Sequence, residues 1–176
     1  MKKTLAAILF CVGFFVSAQE NKVFTITFKG LNKTKEAFLK RLIKTKEGAI
    51  LDTLKVTGDI ERLKRLPGIA NASFALKETA SGALIAYTIE ENFTLIPGLR
   101  IATANNGSFA YRISAFEFNL FGNNQLLGVF FEKNVFNSYG AFWEHPFLFN
   151  DKLGVGFGYQ DVTTQEPVFF EEGTKN

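Results

Sequence analysis

The sequence predicts a mixed α+β unit followed by the first strands of an antiparallel transmembrane β-barrel, and three observations carry that expectation. Between Phe93 and Asp161, segments of about ten residues alternate apolar with small or polar side chains and are separated by Asn, Gly, Pro and Asp turns. Phenylalanine supplies 21 of the 176 residues, and Phe116, Phe118, Phe121, Phe147 and Phe149 fall near segment ends, where aromatic girdles of a barrel would collect them. Charge also changes along the chain: Gln19 to Glu91 holds 13 Lys or Arg against 9 Asp or Glu, net +4, whereas Asn92 to Asn176 holds 5 against 8, net −3. Charge and periodicity change together, so the expected division is 1–18, 19–91 and 92–176.

Residues 1–18 read as a secretory signal. Lys2 and Lys3 precede an apolar run from Leu5 to Val16, and Val16, Ser17 and Ala18 suit a cleavage site between Ala18 and Gln19. Cys11 is the only cysteine and lies inside that run behind Phe10, a poor lipoprotein processing site. It should leave with the signal, so the mature chain is expected to carry no disulfide, thiol nucleophile or cysteine metal ligand. No later stretch has the roughly 18 uninterrupted apolar residues of a spanning helix.

In residues 19–91, Phe24, Ile26 and Phe28 alternate with Thr25, Thr27 and Lys29, which predicts a strand buried on one face and ended by Gly30. Thr34 is the expected N-cap of a first helix with Glu36 in its first turn, and Ala37, Phe38, Leu39, Leu42 and Ile43 supply its apolar face. Asp52 is the expected cap of a second helix, in which Val56, Ile60, Leu63 and Leu66 recur at helical spacing before Pro67 and Gly68 stop it. Gly58 weakens its first turns. Ala70, Ala72, Phe74 and Leu76 then alternate in a second strand, Ser81 and Gly82 turn the chain, and Ile85, Tyr87 and Ile89 alternate in a third. The expected order is βααββ, with Phe24, Ile26, Phe28, Phe38, Leu63, Phe74, Tyr87 and Ile89 sharing one core.

Residues 92–176 are expected to form about five strands, near Thr94–Ala104, Ser108–Asn119, Gln125–Asn134, Ser138–Glu144 and Lys152–Asp161, with a polar tail from Val162. The last is the clearest: Leu153, Val155, Phe157 and Tyr159 face one way, Gly154, Gly156, Gly158 and Gln160 the other. A strand of about ten residues rises roughly 33 Å and, tilted by about 45°, covers roughly 23 Å, close to the apolar band of an outer-membrane barrel. An aromatic-rich β-sandwich or lipid-carrier barrel is the alternative, but its strands are usually about half as long.

The residues FKGLNKT, LKRLPGIANASF and YTIEEN, in that order, resemble a POTRA domain, and FNLFGNNQLLG and WEHPFLFNDKLGVGFGY resemble the opening hairpins of a surface-antigen barrel. The chain is thus similar to the outer-membrane protein assembly and translocation superfamily, which includes BamA-like insertases and two-partner secretion transporters. The resemblance implies a larger closed barrel, of which this sequence reads as an amino-terminal fragment. It implies an outer-membrane location with the POTRA-like unit in the periplasm, and as partners the lipid bilayer, unfolded outer-membrane protein clients and periplasmic accessory proteins. It further implies a role in assembly and insertion, in which a client strand adds to the second POTRA strand at Ile69, Asn71, Ser73, Ala75 and Lys77, or to a lateral seam. The seam strand would carry Thr94, Pro97, Gly98 and Arg100; Pro97 lacks a donor and Gly98 weakens pairing. Alternatives are a two-partner-type secretion transporter, or a periplasmic scaffold or binding protein without insertase activity. The bland readings are that Pro97 only ends a linker and that the second strand only supports its sheet.

Enzymatic chemistry is not expected. His145 is the only histidine and lies in a turn, without a second His or Cys to share a metal. Glu117, Glu132 and Glu144 lie on different strands without a paired nucleophile, and no Gly-x-Ser-x-Gly occurs. No cofactor is implied. Lys40, Arg41, Lys44 and Lys46, and Arg62, Lys64 and Arg65, read as solvated helix faces rather than a nucleic-acid surface.

Overall fold

The computed structural model describes residues 21–104, 106–148 and 153–163, together with the backbone of two short strands at 168–170 and 173–175. The expected signal, with Cys11 and the Ala18–Gln19 cleavage site, lies outside the described residues. The first unit runs β1 (Val23–Lys29), α1 (Glu36–Leu42), α2 (Thr53–Lys64), β2 (Ile69–Thr79) and β3 (Gly82–Glu91). Its sheet has the order β1-β3-β2, with β1 parallel and β2 antiparallel to the central β3. Both helices cover one side of it. Phe38, Leu39, Leu42 and Ile43 from the α1 region and Val56, Ile60, Leu63 and Leu66 from the α2 region are buried against Ile26, Ala72, Ile85, Tyr87 and Ile89.

Asp52 caps α2 by accepting from the Lys55 amide at 3.1 Å. Thr34 does not cap α1. Lys35 occupies that position without a side-chain cap, because the Thr34 hydroxyl is buried and accepts from Asn119 Nδ2 at 2.9 Å. Two bulges shift the expected core. The β1–β3 register breaks between Val23 and Thr25, which buries Val23 and leaves Phe24 58% exposed. The β2–β3 register breaks between Ile69 and Asn71, so Ile69 is buried and Ala70 is exposed. Phe74 pairs with Tyr87 and shares its side of the sheet, yet remains 36% exposed at the outer strand.

The second unit is a five-stranded antiparallel meander of β4 (Leu95–Thr103), β5 (Phe109–Leu120), β6 (Gln125–Lys133), β7 (Asn137–His145) and β8 (Val155–Asp161), each paired only with its sequence neighbours. The tail expected to be a polar loop includes a small antiparallel hairpin, β9 (Val168–Phe170) and β10 (Gly173–Lys175). Among the described residues no helix is long and apolar enough to cross a membrane, which says nothing of strands.

Candidate functional site: two strand edges and the junction between them

Register assigns every side chain of the meander to a face. Leu99 pairs with Ile113, Ile113 with Phe131, Phe131 with Tyr139, and Tyr159 with Ala141, so all lie on one side. On this side Leu99 is 69% exposed, Ile101 61%, Ile113 54%, Phe157 69% and Tyr159 68%. Aromatic rings mark its two ends: Phe109, Tyr111 and Phe131 pack at centroid spacings of 6.0 and 6.2 Å, and Trp143 stacks on Phe157 at 6.1 Å. An exposed apolar face of this kind marks a surface built to meet a membrane or another protein.

The opposite side combines ion pairs and glycines with a cluster of phenylalanine rings, Phe116, Phe118, Phe130 and Phe142. Arg100, Arg112 and Glu132 form a charged row, with Glu132 accepting from Arg100 Nη2 at 3.0 Å and Arg112 Nη1 at 3.3 Å, while the Arg112 guanidinium lies 4.2 Å from the Phe130 ring centroid. Phe142 covers Gly128, and Phe130 covers Gly140, where a Cβ would come within 2.6 Å of the Phe130 ring. Glycine therefore makes room for each cross-strand aromatic on this side.

Two strands end their sheets. β2 lies at the edge of the first sheet, which places Ile69, Asn71, Ser73, Ala75 and Lys77 along a strand paired on one side only among the described residues. Ile69 is buried, and Asn71 Oδ1 accepts from the Ala72 amide at 2.9 Å, so the first turn of this edge is already occupied. β4 is the edge of the meander and carries Pro97, Gly98 and Arg100. A Cβ on Gly98 would meet Ser114 Oγ at 2.5 Å, so glycine there serves close packing against β5. Thr94 sits just before β4, and its hydroxyl is committed elsewhere.

That commitment is the junction between the two units. Thr94 Oγ1 donates to Glu117 Oε1 at 2.6 Å and accepts from Lys33 Nζ at 3.0 Å, and Lys33 Nζ lies 2.7 Å from Glu117 Oε2. Glu91 accepts from the Lys33 and Thr34 amides, each at 2.8 Å. Burial alone would push the Glu91 carboxyl up, but these amides, with the Thr34 hydroxyl, offset it and hold the carboxyl below the usual range. Asn119 is 2% exposed; its Nδ2 reaches Thr34 Oγ1, and its Oδ1 accepts from the Asn124 amide at 2.8 Å. Gly122 has φ 70, its carbonyl accepts from the Lys35 amide at 2.9 Å, and a Cβ there would collide with the Lys33 carbonyl. A second contact comes from the turn after β7: Arg41 Nη2 donates to the Phe147 carbonyl at 2.8 Å, and the Phe147 ring packs 5.8 Å from Phe38.

The motif residues read separately in the sequence therefore meet here. Lys33 and Thr34 of FKGLNKT, Gly68 of LKRLPGIANASF, Glu91 and Asn92 of YTIEEN, and Asn119 and Gly122 of FNLFGNNQLLG pack together, while Phe147 of the last motif docks beside them. Sequence reasoning missed Lys33, Glu117, Asn119 and Arg41 as junction residues because their partners in the other unit lie between 61 and 107 positions away in sequence. The short motifs FKGLNKT and FNLFGNN gave a local signal for Lys33 and Asn119 alone. His145, read as a turn residue, is buried at the end of β7, and no group of three metal-binding side chains occurs among the described residues.

A βααββ unit packed against antiparallel hairpins is an arrangement also found in known proteins. The family model for POTRA, surface antigen variable number repeat, matches residues 22–91. The structure is similar to BamA from Haemophilus ducreyi lacking POTRA domains 1–3, with TM-score 0.66 and 22% identity over 80% of this chain and 28% of that one. It is also similar to CdiB from Acinetobacter baumannii, with TM-score 0.53 and 17% identity over 81% of this chain and 28% of that one. No curated protein matches the sequence. The family match is confined to residues 22–91, the two structures share the fold of this chain, and the chain spans about a quarter of their length.

Proposed function

We propose that the meander belongs to an outer-membrane β-barrel with its POTRA unit in the periplasm, and that the protein acts non-enzymatically in assembly and insertion of outer-membrane proteins. The observation that carries this reading is the one-sided, exposed apolar face running from Leu99 to Tyr159, backed by a charged and glycine-rich face. Only hydrocarbon makes such a face favourable, and backbone groups at its two edges must then find strand partners. β4 offers one such edge, with Pro97 contributing no donor to it. A client strand that pairs with β4 would satisfy the remaining groups, and β2 offers a second edge for a client or an accessory protein in the periplasm.

A dedicated secretion role is the second reading, supported by the likeness to the CdiB fold. Photo-crosslinkers placed at Leu99 on β4 and at Ser73 on β2, in cells making the protein, separate the possibilities. Insertase action predicts adducts at Leu99 with several outer-membrane barrel proteins. Adducts with one exported partner alone would favour secretion, and adducts confined to Ser73 would favour a periplasmic scaffold.

A further inference from the structure

Phe121 is a bulky residue in a conformation that suits glycine. Its φ is 56, its ring is 67% exposed, and it stands in the β5–β6 turn beside Gly122, whose carbonyl holds the Lys35 amide. Such strain persists where the side chain has work to do. Neither the core nor the junction uses this ring. Phe93, 82% exposed, stands in the same way beside Lys33 and Leu95 at the entry to β4. Residues 33–47, which begin beside these rings at Lys33 and Lys35, are strongly cationic and contain Lys33, Lys35, Lys40, Arg41, Lys44 and Lys46 against Glu36 and Glu47. Lys40 is paired with Glu36, Lys33 with Glu117, Arg41 with turn carbonyls and Lys46 with a backbone carbonyl. Lys35 and Lys44 are exposed, and their ammonium groups have no protein partner among the described residues.

We infer that Phe93, Phe121, Lys35 and Lys44 form a docking surface for anionic phospholipid headgroups at the membrane face that meets the junction. The inference rests on the meander spanning the bilayer, since that places the β5–β6 turn and the start of β4 at one membrane surface with the POTRA unit beneath it. Aromatic rings prefer the headgroup level, where one side is apolar and the other wet, and unpaired ammonium groups beside them meet phosphate oxygens. Charge complementarity selects lipid: the two exposed rings stand with ammonium groups that meet no protein carboxylate among the described residues. Its anchoring holds the POTRA unit, and with it the β2 edge, at a fixed height below the bilayer.

The test is flotation of the full chain with vesicles of phosphatidylcholine, with or without phosphatidylglycerol. The wild type should bind the anionic vesicles more tightly at low salt and lose that preference at high salt. Lys35→Gln with Lys44→Gln should lower the preference about fivefold per lysine, while binding to neutral vesicles stays as it was. Phe121→Gly relieves the strained turn, so its melting temperature should not fall, yet its binding to both vesicle types should weaken. Equal wild-type binding to the two vesicle types, or a preference that survives both lysine substitutions, overturns the inference. A wild type that floats only with anionic vesicles and loses this on substitution upholds the headgroup surface and instead overturns the spanning meander.

Discussion

The two halves of this chain solve the same problem in opposite directions. The POTRA unit closes its apolar side chains between two helices and a sheet, so that Leu39, Leu63 and Tyr87 are fully buried. The meander turns Leu99, Ile113, Phe157 and Tyr159 outward and keeps its ion pairs and glycines on the other side. Both follow the period-two pattern of strands, so periodicity alone does not separate them. What separates them is whether the apolar face is covered by other elements or left exposed. The junction lets both exist in one chain, by tying the POTRA loop at Lys33 and Thr34 to the end of β5 at Glu117 and Asn119.

The largest expected effect tests the closed half. Phe38→Ala, at a residue 3% exposed, should cost about 3–5 kcal/mol in a denaturant melt of the POTRA unit. Ile101→Ala, 61% exposed on the meander, should change stability in detergent by under about 0.5 kcal/mol. Comparable losses at the two sites would erase the contrast. In the bilayer the order reverses for charge: Val155→Arg should cost roughly 2–4 kcal/mol of folding into liposomes. Gly156→Ser should be mild, because the nearest group a Cβ there would meet is the flexible Glu144 side chain at 3.2 Å, with the Trp143 carbonyl at an ordinary 3.4 Å.

A third substitution probes the inner side of the meander. Gly128→Val would drive a branched side chain into the Phe142 ring and should cost about 1–3 kcal/mol, whereas Gly58→Val on the open side of α2 meets nothing. Combining Gly128→Val with Phe142→Ala should recover part of the loss. A melt unchanged by Gly128→Val would show that the ring does not sit on this glycine.

Phe74→Ala sharpens the boundary of the POTRA core. At 36% exposure it should lose only roughly 1–2 kcal/mol, well below a fully buried phenylalanine. A comparably modest effect belongs to the junction. Because the folded Glu91 carboxyl is held below its ordinary value, its stabilisation is present above the ordinary carboxylate pKa of about 4.3 and is lost as pH falls through the lowered folded value. Glu91→Gln should therefore lower stability by about 1 kcal/mol at neutral pH, and the gap should close in acid. A gap that is constant with pH would show that the charge is not what matters.

Much of this architecture was legible because alternation and turn residues are local. The five strands of the meander fall within three residues of their expected limits at each end, since Asn, Gly and Pro punctuate them. The misplacements have a physical cause. A bulge adds one residue and reverses the faces on one side of it, which is why Val23 and Ile69 are buried while Phe24, expected in the core, and Ala70, expected to share a face with Ala72, are exposed. Thr34 reads as a cap because Ser and Thr favour that position, but a buried tertiary partner, Asn119, claims its hydroxyl. Of the candidate site, the β2 and β4 edges were visible in strand order, while the junction was not, because its ion pair and hydrogen bonds join residues far apart in sequence.

The central claim is that the outward apolar face of the meander meets lipid. Single cysteines from Val155 to Asp161, introduced one at a time in cells that make the protein, can be tested with a membrane-impermeant, water-borne thiol reagent after outer-membrane vesicles are isolated. The account predicts strict alternation, with Val155, Phe157 and Tyr159 protected and Gly156, Gly158 and Gln160 labelled. Labelling with the opposite phase, or with no alternation along the strand, would contradict it.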